Sequence, residues 1–251
     1  MARSRLRLLR DSFASDPALD AAVSRALMLR VAAGELPETL RIARPGTTVA
    51  FAKRDAVAPG YEAAVRAARE HGFEATLRLA GGRAAIFHDG AIEIGHAVPD
   101  DEPRAGIRER FERTAERLAR ALARVGVDAR VGEIAGEYCP GRYSVNARAA
   151  VKLAGIGQRV VGGGSHTGVV LVIEGEERIN TVLEPVYAAL DLDWEPAASG
   201  SVRTEAPRAT WDTVRDALVA EYAHDYDLTD AELEPDTLEL AKTLAQEHRV
   251  R

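Results

Sequence analysis

The chain lacks a second cysteine. Among 251 residues Cys139 is alone, so no intramolecular disulfide exists, and the thiol is either a buried small hydrophobe or a reactive group. It also lacks any apolar run of the roughly 18 residues needed to span a bilayer. The opening MARSRLRLLRDSF carries basic residues without an apolar signal core, so no membrane association and a reducing, cytoplasmic location are expected. Basic excess is missing as well. A formal net charge of −6 gives the chain as a whole none of the basic footprint of a nucleic-acid binder, and no nucleic-acid partner is expected. His71, His88, His96, His166, His224 and His248 are scattered without metal-ligand spacing, so no metal site is expected. Internal repeats and low-complexity tracts are absent.

What is present is a chain long enough to bury a full core, with 46% hydrophobic and 29% charged residues. Arg5 to Arg10 reads as a strand, and Asp16-Pro17 opens a helix through Val31, where proline suits a first turn. TLRIARPGTTVAFAKRD holds two β-like runs divided by Pro45-Gly46. Helices are predicted from Tyr61 to His71, from Glu102 to Val125 with Asp100-Asp101-Glu102 as its acidic first turn, and from Asn180 to Leu190. Strands broken by Pro140-Gly141 and Gly162-Gly163-Gly164 fill Val127 to Ile173. This order lacks regular βαβ alternation, so the expected class is α+β, with a mixed, largely antiparallel sheet flanked by helices. A linker near 195–207 divides residues 1–195 from a small helical C-terminal appendage at 208–251, where Thr229 and Glu232 have capping-box spacing.

Three segments could carry chemistry. In LRLAGGRAAIFHDG, Gly81-Gly82 follows a β-like run between Arg78 and Arg83. Such a pair is either a plain turn or a place where backbone N–H groups and arginine meet an anion or carbonyl. His88 beyond it is a structural histidine or a ligand contact. In GEYCPGRYSVN, Pro140-Gly141 holds Cys139 on an irregular turn, thirteen residues before Lys152. A nearby ammonium would stabilise the thiolate, the form that attacks acyl groups. Lys152 between Val151 and Leu153 is either a snorkelling surface lysine or a cation aimed into a pocket. VVGGGSHTGVVLVI sets Ser165, His166 and Thr167 before an apolar strand, as a hairpin turn or a binding turn.

Taken together, these blocks resemble the biotin/lipoate protein ligase and octanoyltransferase superfamily. The resemblance rests on Arg78-Leu79-Ala80-Gly81-Gly82-Arg83, on Lys152-Leu153-Ala154-Gly155-Ile156-Gly157-Gln158-Arg159, on Gly164-Ser165-His166-Thr167-Gly168, and on the opening helix and two strands. It covers roughly residues 7–190. It implies a class II biotin/lipoate ligase-like fold, with 1–195 as the catalytic domain and Lys152 at the lipoyl or octanoyl carbonyl. Arg83 stands where the ATP-dependent ligases have a third glycine, whereas Tyr138-Cys139-Pro140-Gly141 is similar to the turn of the cysteine-dependent transferases. The resemblance therefore implies transfer of an octanoyl or lipoyl group through a Cys139 thioester, with no cofactor. The acceptors implied are lipoyl-domain proteins such as the glycine cleavage H protein and 2-oxoacid dehydrogenase E2 subunits. Arg78, Gly81, Gly82, Arg83, His88, Gly155, Gln158, Gly164, His166 and Thr167 are the implied substrate contacts. An apolar tunnel for the C8 chain is expected from Ala84, Ala85, Ile86 and Val169 to Leu171. The alternatives are an ATP- and magnesium-dependent lipoate ligase working through an acyl-adenylate, and a non-catalytic module that binds lipoyl carriers.

Overall fold

The computed structural model describes residues 3–250. In chain order the elements are β1 (Ser4–Leu9), α1 (Pro17–Ala32), β2 (Thr39–Ala43), β3 (Thr48–Phe51), α2 (Tyr61–Glu70), β4 (Glu74–Leu77), β5 (Ala85–Phe87), β6 (Ala91–Pro99) and α3 (Ile107–Arg124). They continue with β7 (Ala129–Val131), β8 (Val145–Ala147), β9 (Val151–Val161), β10 (Gly164–Val172), α4 (Glu176–Ala189), α5 (Val202–Glu205), α6 (Trp211–Asp225), β11 (Tyr226–Asp230) and α7 (Pro235–Leu244). The class is α+β, as expected, but the strands form two sheets. The larger has the order β11-β1-β2-β6-β10-β9-β8-β7, parallel at β11/β1/β2 and antiparallel beyond. The smaller has the order β4-β3-β5.

Side-chain alternation along the strands decides how the sheets stack. On β6 and β10, Ile92, Ile94, Val169 and Leu171 join a core with Ala115, Leu118 and Leu122 of α3 and Val214, Leu218 and Tyr222 of α6. On the small sheet, Val49, Phe51, Ala75 and Ile86 pack against Ala64 and Ala68 of α2 and Ile179, Leu183 and Val186 of α4. The remaining faces of both sheets turn toward each other. Between them run small or polar residues: Thr48, Ala50, Thr76 and Ala85 from one side, and Gly155, Gly157, His166 and Gly168 from the other. Residues this small cannot fill the gap, so a cavity remains.

Helix α1 closes one end of that gap. Its first turn is held by the Asp16 carboxylate, which accepts the Leu19 N–H at 3.1 Å, and by Pro17 at the first helical position. Its other side packs on α7.

Three local expectations fail. Asp100-Asp101-Glu102 precedes α3 rather than opening it, because Asp100 accepts the Glu102 N–H at 2.9 Å and Arg110 at 2.5 Å in a turn of its own. Helix α4 begins at Glu176, four residues before Asn180. The tail is not helical throughout. Thr229 lies in β11, paired with Arg7 of β1, and α7 starts only at Pro235, so the Thr229–Glu232 capping box does not form. Backbone pairing with an open sheet edge prevails there over a local helix-start signal. Among the described residues no helix is long and apolar enough to cross a membrane.

Candidate active site

The turn that carries Cys139 is built around one buried carboxylate. Glu137 accepts N–H bonds from Ile134 at 3.3 Å and Gly141 at 2.8 Å, and the Ser144 hydroxyl at 2.6 Å. It also pairs with Lys152, whose Nζ lies 3.2 Å away. Lys152 arrives from β9 at a bulge: Val145 pairs with Ala154 and Asn146 with Lys152, leaving Leu153 as the extra residue. The ammonium donates further to the carbonyls of Tyr138 at 2.9 Å and Cys139 at 2.8 Å. Its three protons are thereby used, which is how a lysine only 2% exposed remains in place. It is not a snorkelling surface residue.

Cys139 itself has φ +43°, in the left-handed region that a non-glycine residue adopts only when its surroundings enforce it. Its N–H donates to the Tyr187 hydroxyl at 2.9 Å, and that hydroxyl donates to the Ala84 carbonyl at 2.9 Å. The Sγ accepts the Arg83 backbone N–H at 3.2 Å and Arg78 Nη1 at 3.6 Å. Arg78 also donates to the Arg83 carbonyl at 3.0 Å. Gly82 has φ +113°, and a Cβ there would sit 2.9 Å from the sulfur, so glycine is required on both counts. Arg83 turns its guanidinium away to Asp55, at 3.1 Å, and Asp55 is fully buried where it accepts the Ala52 N–H at 2.9 Å.

Burial pushes the Cys139 thiol up. The Arg78 guanidinium, the Lys152 ammonium and the Arg83 N–H together outweigh that and hold it below the ordinary thiol range. The result is a thiol biased toward the thiolate, on an irregular turn, facing a cavity of about 440 Å³. That volume lies in the range of small-molecule sites. Ala85 and Val170 turn their side chains to it, and Val169 borders it. Ala84 and Ile86 instead face the α2–α4 core, and Val169 and Leu171 the α3–α6 core, because adjacent strand residues point to opposite faces.

Of the residues singled out from sequence, Arg78, Gly81, Gly82, Cys139, Lys152, Gly155, Gln158 and His166 border the cavity. Arg83 contributes through its backbone. Gln158 spends its amide on Arg110 at 3.0 Å and the Ile107 carbonyl at 2.9 Å, tying β9 to the start of α3. Three residues lie elsewhere. His88 is buried outside the cavity, where its Nδ1 accepts the Gly90 N–H at 3.0 Å. Gly164 packs on Ala32 at the far end of α1, and Thr167 points to the opposite face of β10 from His166. Glu137, Tyr187 and Asp55 were missed. Only Glu137, two residues before the cysteine, stood close enough in sequence to be suspected.

The description "lipoyl protein ligase A/B catalytic domain" applies to a family model that matches residues 16–222. An octanoyl-[GcvH]:protein N-octanoyltransferase of Geobacillus kaustophilus is 31% identical over 154 residues, 61% of this chain and 54% of that protein. A lipoyl-[GcvH]:protein N-lipoyltransferase of Listeria monocytogenes is 26% identical over 177 residues, 69% of this chain and 63% of that protein. The chain thus spans little more than half to three fifths of these relatives' lengths. A crystal structure of lipoate-protein ligase A bound with ATP superposes with TM-score 0.77 at 18% identity, covering 98% of this chain and 95% of that one. This is a likeness of fold.

Proposed function

The chain belongs to the lipoyl protein ligase A/B catalytic-domain family, and from that premise we propose that it transfers an octanoyl or lipoyl group onto the lysine of lipoyl-domain proteins through a Cys139 thioester. The observation that carries this is the thiol's setting: Sγ bonded to the Arg83 N–H at 3.2 Å, beside Arg78, at the wall of an acyl-sized cavity. The similarity to GcvH-dependent octanoyl- and lipoyltransferases supports an acylated carrier as donor.

In this reading the Cys139 thiolate attacks the acyl carbonyl of an acylated carrier lysine. The C–S bond forms, the C–N bond breaks, and the departing amine takes a proton from solvent. An acceptor lysine amine then attacks the thioester and gives up a proton to solvent, so that the new amide forms as the C–S bond breaks and the thiolate returns. Lys152 acts on the reacting carbonyl in two ways. Its charge faces the developing oxyanion, and its bonds to the Tyr138 and Cys139 carbonyls fix the nucleophile's backbone. The Gly81 and Gly82 N–H groups are the candidate partners for the oxyanion. Gly164 is too far from the thiol's surroundings to share that role.

The same geometry favours transfer over adenylation. Arg83, in place of the ligases' third glycine, is engaged by Asp55, and Arg54 donates to the Gly82 carbonyl. The segment is committed to holding the thiol rather than open to a phosphate. Incubation with octanoylated H protein, without ATP, is expected to add one octanoyl mass to Cys139. An adduct that persists in Cys139→Ala, or product formed only from free lipoate with ATP and magnesium, would overturn the proposal.

A further inference from the structure

Residues 226–250 run from the larger sheet to the smaller one across α1. Strand β11 pairs with β1 at the edge of the larger sheet, and the Ala231 N–H bonds the Leu8 carbonyl at 2.9 Å. Ala241 of α7 and Ala245 in the following 3₁₀ turn (Ala245–Glu247) are buried in one cluster with Val23, Leu27 and Val31 of α1. Beyond that turn Glu247 pairs with Arg25 at 2.8 Å, Arg249 with Asp16 at 2.6 Å, and the Val250 carbonyl accepts Arg69 of α2 at 2.9 Å. These contacts bring residues 248–249 to the edge of β4 that β3 leaves open. Arg249 pairs there antiparallel with Thr76. Leu77 donates its N–H to the His248 carbonyl at 2.8 Å, and its own carbonyl accepts His248 Nδ1 at 2.6 Å.

His248 is 4% exposed. A carbonyl only accepts, so Nδ1 carries the proton, and Nε2 has no partner among the described residues. Burial pushes the imidazole below its ordinary range, which keeps the ring neutral. One buried nitrogen is thereby left unmatched, a cost that an apolar packing residue would avoid. What the histidine supplies in return is the bond to Leu77.

Leu77 ends β4, and residues 78–84 have no regular structure. Arg78 is the first residue of that loop. Its N–H is held by the Phe51 carbonyl at 2.9 Å, and its Nη1 lies 3.6 Å from the Cys139 sulfur and 3.0 Å from the Arg83 carbonyl. Two cations face the thiol. Lys152 is bonded to Glu137 and to the carbonyls of Tyr138 and Cys139, so it moves with the Cys139 turn. Arg78 belongs to the opposite loop, and its distance from the sulfur depends on where β4 ends.

Resting on the reading of Cys139 as the reacting thiol, we propose that His248 is a positioning residue for the transfer. Residues 245–250 act as a strap that fixes the end of β4 and, through it, the Arg78 guanidinium beside the sulfur.

Iodoacetamide alkylation of the intact protein across pH reads the thiolate without an acyl donor. In His248→Ala the midpoint is expected to move upward, and the rate at a fixed pH below it to fall about threefold. His248→Asn keeps a donor at the δ position and is expected to restore most of the original profile. Arg249→Gln releases the strap from Asp16 outside the cavity and is expected to shift the midpoint in the same sense. A packing role alone would lower the melting temperature and leave the profiles in place. An unchanged midpoint in His248→Ala, or in Arg249→Gln where His248→Ala does not fold, would overturn the proposal. So would a His248→Asn profile no nearer the original than that of His248→Ala. An upward shift in a protein that never takes an acyl group on Cys139 would sink the transfer reading while leaving the strap standing.

Discussion

The Tyr187 hydroxyl joins the two loops that meet at the thiol: it accepts the Cys139 N–H and donates to the Ala84 carbonyl, both at 2.9 Å. One side chain of α4 thus holds Cys139 at φ +43° and keeps the Arg83 N–H next to Sγ. Removing only the oxygen should loosen both. In Tyr187→Phe the rate of acyl loading onto Cys139 should fall at least tenfold. Stability should drop by about 1–3 kcal/mol for each of the two groups, the Cys139 N–H and the Ala84 carbonyl, left unpaired. Urea unfolding and single-turnover acylation measure the two effects separately.

The lowered thiol pKa has a direct readout in alkylation. Because the thiolate reacts, the rate of iodoacetamide modification of Cys139 should reach its plateau at a lower pH than for an unperturbed thiol. Arg78 is the largest of the groups that hold the thiol down, so Arg78→Met should move the midpoint of that profile upward. A midpoint unchanged in Arg78→Met would show that the guanidinium does not set the thiol's charge.

Lys152 and Glu137 form a buried ion pair with exposures of 2% and 0% for their side chains. Lys152→Met strands the Glu137 carboxylate without its counter-charge, and a loss of about 3–5 kcal/mol is expected in chemical denaturation. Lys152→Met combined with Glu137→Gln should lose less than the two single losses added, because neither partner is then left charged.

Gly157 lets the 78–82 segment lie directly over β9 at the edge of the cavity. A Cβ there would lie 2.8 Å from the Ala80 Cβ and 3.1 Å from Arg78 Nη2, so Gly157→Val should push the 78–82 segment outward. Octanoate binding should weaken by an order of magnitude or more while the fold survives, which calorimetry and circular dichroism resolve together.

His166 carries a stability signature. Its pKa is about 3 in the fold against 6.5 ordinarily, because burial opposes the charged form. Between these values the unfolded chain binds the extra proton, so stability should fall as pH drops below about 6.5, by at most about 1.4 kcal/mol per unit from this group. His88 and His248 are lowered too and act in the same sense. His166→Phe should flatten the slope without abolishing it, as seen in unfolding free energies between pH 4 and 7.

Much of the fold was readable because it is written locally. Asp16-Pro17 starts a helix by capping and by the fixed φ of proline, and the strands around Pro45-Gly46 are delimited by a turn dipeptide. Two sheets rather than one could not be read, since sheet membership depends on pairing between distant segments. Strand β11 was misread for the same reason: a helix-start spacing at Thr229 yields to pairing with β1.

The lone cysteine, the glycine pair and the lysine were each visible in sequence as chemistry-bearing types, with an alternative structural reading beside every one. Composition and spacing determine that Cys139 lacks a disulfide partner and sits in a proline-glycine turn. Only the tertiary structure decided what that turn does. Arg83 is 56 residues and Tyr187 48 residues from the thiol they orient, and His88, Gly164 and Thr167 fall away from it. Electrostatic and hydrogen-bond forces act over a few ångströms in space, and distance along the chain does not set that proximity.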